Sequence, residues 1–104
     1  MSHDAWVIHV ALHPGEPVSS EMLELVMAGA SLDLPLVVLF SGSGRYHLCG
    51  DWAARWCQLT DFRLARLVYR IEDGAVFRPE IPAEGLDAKR VERLFEHARG
   101  VLHL

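Results

Sequence analysis

Apolar positions along the chain fall into short blocks divided by polar, proline-rich or glycine-rich stretches. Residues 5–12, Ala-Trp-Val-Ile-His-Val-Ala-Leu, form a short β-branched run with one histidine. That is the pattern of a strand buried on both faces, as in a parallel sheet. His13-Pro14-Gly15-Glu16-Pro17 stops it with turn residues. A helix is expected from Ser19 or Ser20, because serine suits a helix start and Glu21 suits the positive end of the dipole. Leu23, Val26, Met27 and Ala30 recur at three- and four-residue spacing along one face, and Asp33 and Pro35 end the element. Leu36–Phe40 is a continuous apolar run and the clearest strand. Ser41-Gly42-Ser43-Gly44 then reads as a flexible loop, and Gly50-Asp51 as the start of a helix over 52–61.

Leu64–Ile71 reads as a third strand with Arg66 and Arg70 on one side, followed by a turn at Glu72-Asp73-Gly74. Residues 75–81 suggest a fourth, short strand, which Pro79 and Pro82 make an edge or irregular segment. A helix over 86–98 carries the stripe Val91, Leu94, Phe95 and Ala98, with Gly100 where a C-terminal cap belongs and a last strand at 101–104. The order β-α-β-α-β-(β)-α-β predicts one α/β domain over 1–104, a three-layer α/β/α sandwich with a mainly parallel sheet of four or five strands. The short 72–74 turn leaves room for one antiparallel edge hairpin. In such sheets the reactive crevice lies beyond the carboxyl ends of the strands. Here that edge carries His13–Glu16, Ser41–Tyr46 and Glu72–Gly74.

Composition narrows the function classes. The 104 residues are 51% hydrophobic and carry a formal net charge of −4, which argues against a general nucleic-acid binder. No apolar run approaches the roughly 18 residues of a membrane span, and Met1-Ser2-His3-Asp4 lacks the basic start of a signal peptide. Two cysteines make no disulfide framework. The expectation is a cytoplasmic protein with reduced thiols and no nucleic-acid or membrane partner.

Candidate chemistry is sparse. Cys49 and Cys57 are eight apart, not the spacing of a redox pair or a zinc knuckle. Cys57 reads as a small core residue. Cys49 lies near an expected helix start, which lowers a thiol's pKa, with Arg45 and His47 close by; the plainer reading is a half-buried structural cysteine. If Cys49 is a nucleophile, His13 or His47 is the candidate base. Six histidines include His9 and His13, which reach one edge of the sheet, yet no converging set of metal ligands stands out and neither a metal nor a cofactor is expected. The loop Ser41-Gly42-Ser43-Gly44, with Arg45, offers backbone amides to a small anion, although it matches neither a dinucleotide fingerprint nor a phosphate loop. The alternative is a tight strand-to-helix connection. Trp52 and Trp56 share a helix face, usual for a core, and part of the tryptophan load suits a subunit interface.

Three stretches carry a resemblance to a known family. They are the helix Glu21–Leu32 after a Pro-Gly loop, the run Val37-Val38-Leu39-Phe40 with a short polar loop to Gly44 and Leu48, and the tail from Arg90 to Leu104. Together the chain resembles the DsrE/DsrF/DsrH-like sulfur-relay family, most closely the DsrF or TusC type. The resemblance implies an α/β subunit that assembles with itself or with other DsrE-like subunits to handle protein-bound sulfur. It also implies a departure. Catalytic members carry a persulfide cysteine just after the third strand, where this chain has Arg70-Ile71-Glu72-Asp73-Gly74. The implied role is therefore an accessory or structural subunit. A small thiol-dependent carrier using Cys49 and a homo-oligomeric anion-binding module are the alternatives.

Overall fold

The computed structural model describes residues 5–72 and 76–104. Its elements follow the expected order: β1 (Trp6–Val10), α1 (Ser19–Ser31), β2 (Leu36–Phe40), a 3₁₀ helix (Gly42–Leu48), α2 (Gly50–Asp61), β3 (Ala65–Arg70), β4 (Glu84–Leu86), α3 (Ala88–His97) and β5 (Gly100–His103). The five strands form one sheet in the order β4-β3-β2-β1-β5, and every pairing is parallel.

The strands alternate cleanly between two cores. Ile8, Val10, Leu36, Val38, Phe40 and Leu67 meet Met22, Leu23 and Val26 of α1 and Trp56 and Leu59 of α2. On the opposite face Val7, Val37, Leu39, Val68 and Leu86 meet Val91 of α3, with Leu94 and Phe95 packed beside it. All five residues of β2 are buried, which is why its run carries no polar position. The result is a three-layer α/β/α sandwich.

Three local expectations change. Among the described residues no antiparallel edge hairpin is formed, and the expected turn at Glu72-Asp73-Gly74 falls mostly outside them. The expected strand at 75–81 partly falls on residue 75, outside the described residues, and 76–81 form no strand. The fourth strand is instead Glu84–Leu86, running parallel to β3. A parallel neighbour needs a crossover, and an irregular segment supplies it: Phe77, Ile81 and Ala83 pack on the α1/α2 side of the sheet, and Glu80 N–H donates to the Leu48 carbonyl at 2.8 Å. Prolines suit such a segment because its backbone joins no ladder.

Helix ends differ as well. Val18, not a serine, caps α1, and the buried Ser19 hydroxyl donates to the His13 carbonyl at 3.1 Å. Asp87 caps α3 by accepting the Arg90 N–H at 2.9 Å, so Leu86 ends a strand rather than opening a helix. Gly100 begins β5, where a side chain would collide with the Trp6 ring. Arg66 and Arg70 do share the α3 face; Arg66 and Arg90 both grip the Glu84 carboxylate.

Gly44 fixes the 3₁₀ helix against β1, because a methyl there would overlap the Val10 carbonyl. Backbone cannot step aside as a side chain can. Gly44→Ala is expected to lower stability by about 3 kcal/mol in denaturant unfolding, against about 1 kcal/mol for Gly100→Ala, where the partly exposed Trp6 ring can swing away.

Candidate functional site at the carboxyl edge

Parallel strands place all their carboxyl ends on one edge. Successive connections carry the chain outward from β1 through β2 and β3 to β4, after which β5 returns to the other side of β1. The strand order thus reverses between β1 and β5, the position where open α/β sheets form a crevice.

His9 and His103 are register partners at this junction. Their Nδ1 atoms lie 2.8 Å apart. The other nitrogen of His9, Nε2, lies 2.6 Å from Ser41 Oγ, at the carboxyl end of β2. Ser41 is held by its backbone: its N–H donates to the Val10 carbonyl at 3.0 Å and its carbonyl accepts from Gly44 N–H at 2.9 Å. Phe95 of α3 packs edge-on against His9, with ring centroids 5.7 Å apart. Burial, then the neighbouring His103 and Arg70, hold His9 below the usual histidine pKa.

A second group sits beside it. Glu72, just beyond β3, accepts the Gly42 N–H at 2.7 Å and pairs with Arg45 Nε at 3.3 Å. Arg45 also donates to the Gly42 carbonyl at 3.1 Å and lies over the Phe77 ring, while its Nη1 is buried without a partner. On the α3 side, Arg70, Glu72 and Asp87 line an open crevice of about 320 Å³.

The expected site residues separate into distinct places. Ser41, Gly42, Ser43 and Gly44 do stand at the carboxyl edge, but 42–44 belong to a 3₁₀ helix rather than a flexible loop. The amide of Gly42 and the guanidinium of Arg45, expected to meet an anion, meet the chain's own Glu72 carboxylate. His13 is exposed and serves its turn, its Nδ1 accepting the Gly15 N–H at 2.8 Å. His47 is fully buried. Its Nε2 donates to the Leu12 carbonyl at 2.9 Å and its Nδ1 accepts from Trp56 Nε1–H at 3.1 Å. Both ring nitrogens are engaged, so His47 has none left to act as a base.

The thiols differ from their expectations too. Cys49 does sit at the start of α2, but burial and the Glu80 carboxylate push its thiol pKa up, opposite to activation by a helix end. Cys57 is half-buried rather than a core residue; its sulfur lies 3.6 Å from the Asp61 carboxylate, and partial desolvation and that carboxylate raise its pKa. Three arginines are engaged within the chain: Arg45 pairs with Glu72, Arg55 lies over the Trp52 ring, and Arg66 pairs with Glu84.

The His9–Ser41–His103 chain was not evident from sequence spacing. Its signal is the parallel register, which aligns His9 with His103 only once β5 is known to pair with β1. Among the described residues no group of three or more His, Cys, Asp or Glu side chains is arranged to hold a metal ion, and no helix is long and apolar enough to cross a membrane. No family model matches the chain, and no curated protein matches it.

Burial brings the His47 pKa down to about 4. Below about pH 6.5 the unfolded chain takes up a proton that folded His47 refuses until about pH 4. Stability is therefore full above pH 6.5 and falls as pH drops through that window, by about 3 kcal/mol from this group. Denaturant midpoints measured from pH 7 to 4.5 are expected to decline in the native chain and to decline less in a His47→Gln variant.

Proposed function

We propose that this chain is an accessory subunit of a DsrE/DsrF-like sulfur-relay assembly, one that supports sulfur transfer without carrying the sulfur itself. The carboxyl end of β3 carries the argument. Catalytic members of the family that this sequence resembles hold a persulfide cysteine just after the third strand. Here Glu72 stands in that region, its carboxylate committed to Gly42 N–H and Arg45. Neither cysteine substitutes for the missing thiol, since both thiols have raised pKa values and the thiolate is the nucleophile.

The surface supports a role in an assembly. β5 is an edge strand, and next to it Trp6, Leu25, Leu34, Leu36 and Leu102 line an apolar groove of about 170 Å³. Trp6, Leu25, Leu34 and Leu102 are all exposed there, and such clustered apolar surface marks contact sites on small proteins. A small sheet whose carboxyl edge carries only Cys49, a thiol with a raised pKa, suits a subunit whose partner supplies the reactive cysteine.

Co-expression with a DsrE-type subunit that bears the persulfide cysteine tests this reading. The expected outcome is one co-eluting complex, heavier than either monomer by light scattering. Sulfur from a donor should appear on the partner and not on this chain by intact mass, and Cys49→Ser should leave both results unchanged. A stable monomer that ignores the partner, or sulfur bound to Cys49, overturns the proposal.

A further inference from the structure

The contact between Ser41 and His9 has a chemical capacity that an accessory role does not use. A serine hydroxyl becomes a useful nucleophile when a neutral imidazole accepts its proton and a third group orients that imidazole. All three parts meet at the β1–β5 junction. Ser41 Oγ is 2.6 Å from His9 Nε2, and His9 Nδ1 is 2.8 Å from His103 Nδ1. Each contact needs one proton. With the hydroxyl donating to Nε2, His9 carries its own proton on Nδ1 and donates it to His103. His103 then accepts on Nδ1 and keeps its proton on Nε2.

The surroundings favour the same arrangement. Ser41 is half-buried, and two backbone hydrogen bonds fix its position. Phe95 packs on both imidazoles, holding their planes in place. Burial and the nearby Arg70 charge favour the neutral imidazole that a base requires. The site lies where the strand order reverses, at the edge where α/β sheets place ligands.

We propose that Ser41, His9 and His103 form a serine-nucleophile relay that accepts acyl groups from small activated esters. Ser41 and His9 are the catalytic residues, and His103 is a positioning residue. Ser41 Oγ attacks the acyl carbon, and a C–O bond forms as the hydroxyl proton passes to His9 Nε2. The tetrahedral adduct breaks the ester C–O bond, and the leaving alkoxide takes the proton from His9. Water, deprotonated by His9, then hydrolyses the acyl-serine, releasing a carboxylic acid and restoring Ser41. The sum is ester plus water to acid plus alcohol, with no change in oxidation state. Gly42 N–H, the amide that follows Ser41 in sequence, is already held by Glu72 and is not free for the developing oxyanion. Turnover is therefore slow, and because an activated ester's leaving group departs more readily than the serine alkoxide, acylation outruns hydrolysis and the acyl-serine accumulates.

A fluorophosphonate probe on the full-length chain reads this directly. The Oγ–P bond forms, the P–F bond breaks, and the serine proton leaves with fluoride by way of His9. Peptide mapping should place one label on Ser41, and Ser41→Ala should remove it. His9→Gln should slow labelling by about 100-fold. His103 is exposed, so its variants test the relay without opening the core: His103→Leu should slow labelling by roughly tenfold, while His103→Asp, which restores an acceptor for the His9 Nδ1 proton, should recover it. An unlabelled chain, a label that survives Ser41→Ala, or equal rates in the two His103 variants overturns the relay.

Discussion

Everything in this fold depends on the parallel pairing of β2 with both of its neighbours. Its five residues are all buried, so no polar face is available to contact solvent. Parallel pairing on both sides then forces every connection to cross a face of the sheet and brings every strand to the same carboxyl edge. The helices follow from that requirement, because each crossover must cover the apolar surface it passes. α1 and α2 shield one face and α3 shields the other. The crowded edge beyond β1, β2 and β3 is the geometric result, and the polar residues there meet because the strands bring them together.

The amino-acid pattern revealed the parts of this plan that rest on burial. β1 and β2 were readable because strands covered on both faces contain few polar residues, and α3 because Val91, Leu94, Phe95 and Ala98 recur along one side. β4 was not readable. Glu84-Gly85-Leu86 has no strand pattern of its own and becomes a strand only by pairing with Val68, Tyr69 and Arg70. The crossover before it looked like a strand because its apolar residues pack on the sheet without joining it.

The site was less legible than the fold. Glu72, Ser41 and Arg45 were placed correctly at the carboxyl edge, since that follows from strand direction alone. Their partners did not follow, because Glu72 reaches Gly42 across thirty positions of sequence. His47 shows the same limit in reverse. Flanked by Tyr46 and Leu48 in a polar stretch, it resembles a loop residue, yet it is a core residue whose two nitrogens are satisfied by Leu12 and Trp56. Such a buried polar group is stable only when fully paired, and nothing local in sequence shows the pairing.

The β1–β5 junction also shapes how the molecule assembles over time. The His9–His103 contact joins residues 94 positions apart, whereas β1–β2 pairing joins residues 30 apart, as Ile8 does with Val38. Closing the longer loop costs about 1 kcal/mol more in chain entropy, and non-local contacts of this kind tend to form late in folding. The strands that need only short excursions of chain can pair first, and β5 docks onto a sheet already built. When the structure opens, the two edge strands, β4 and β5, each held by one neighbour, are the strands most readily released. The β1–β5 junction is thus among the last contacts of the molecule to be completed, so its integrity reports on whether the chain has finished folding.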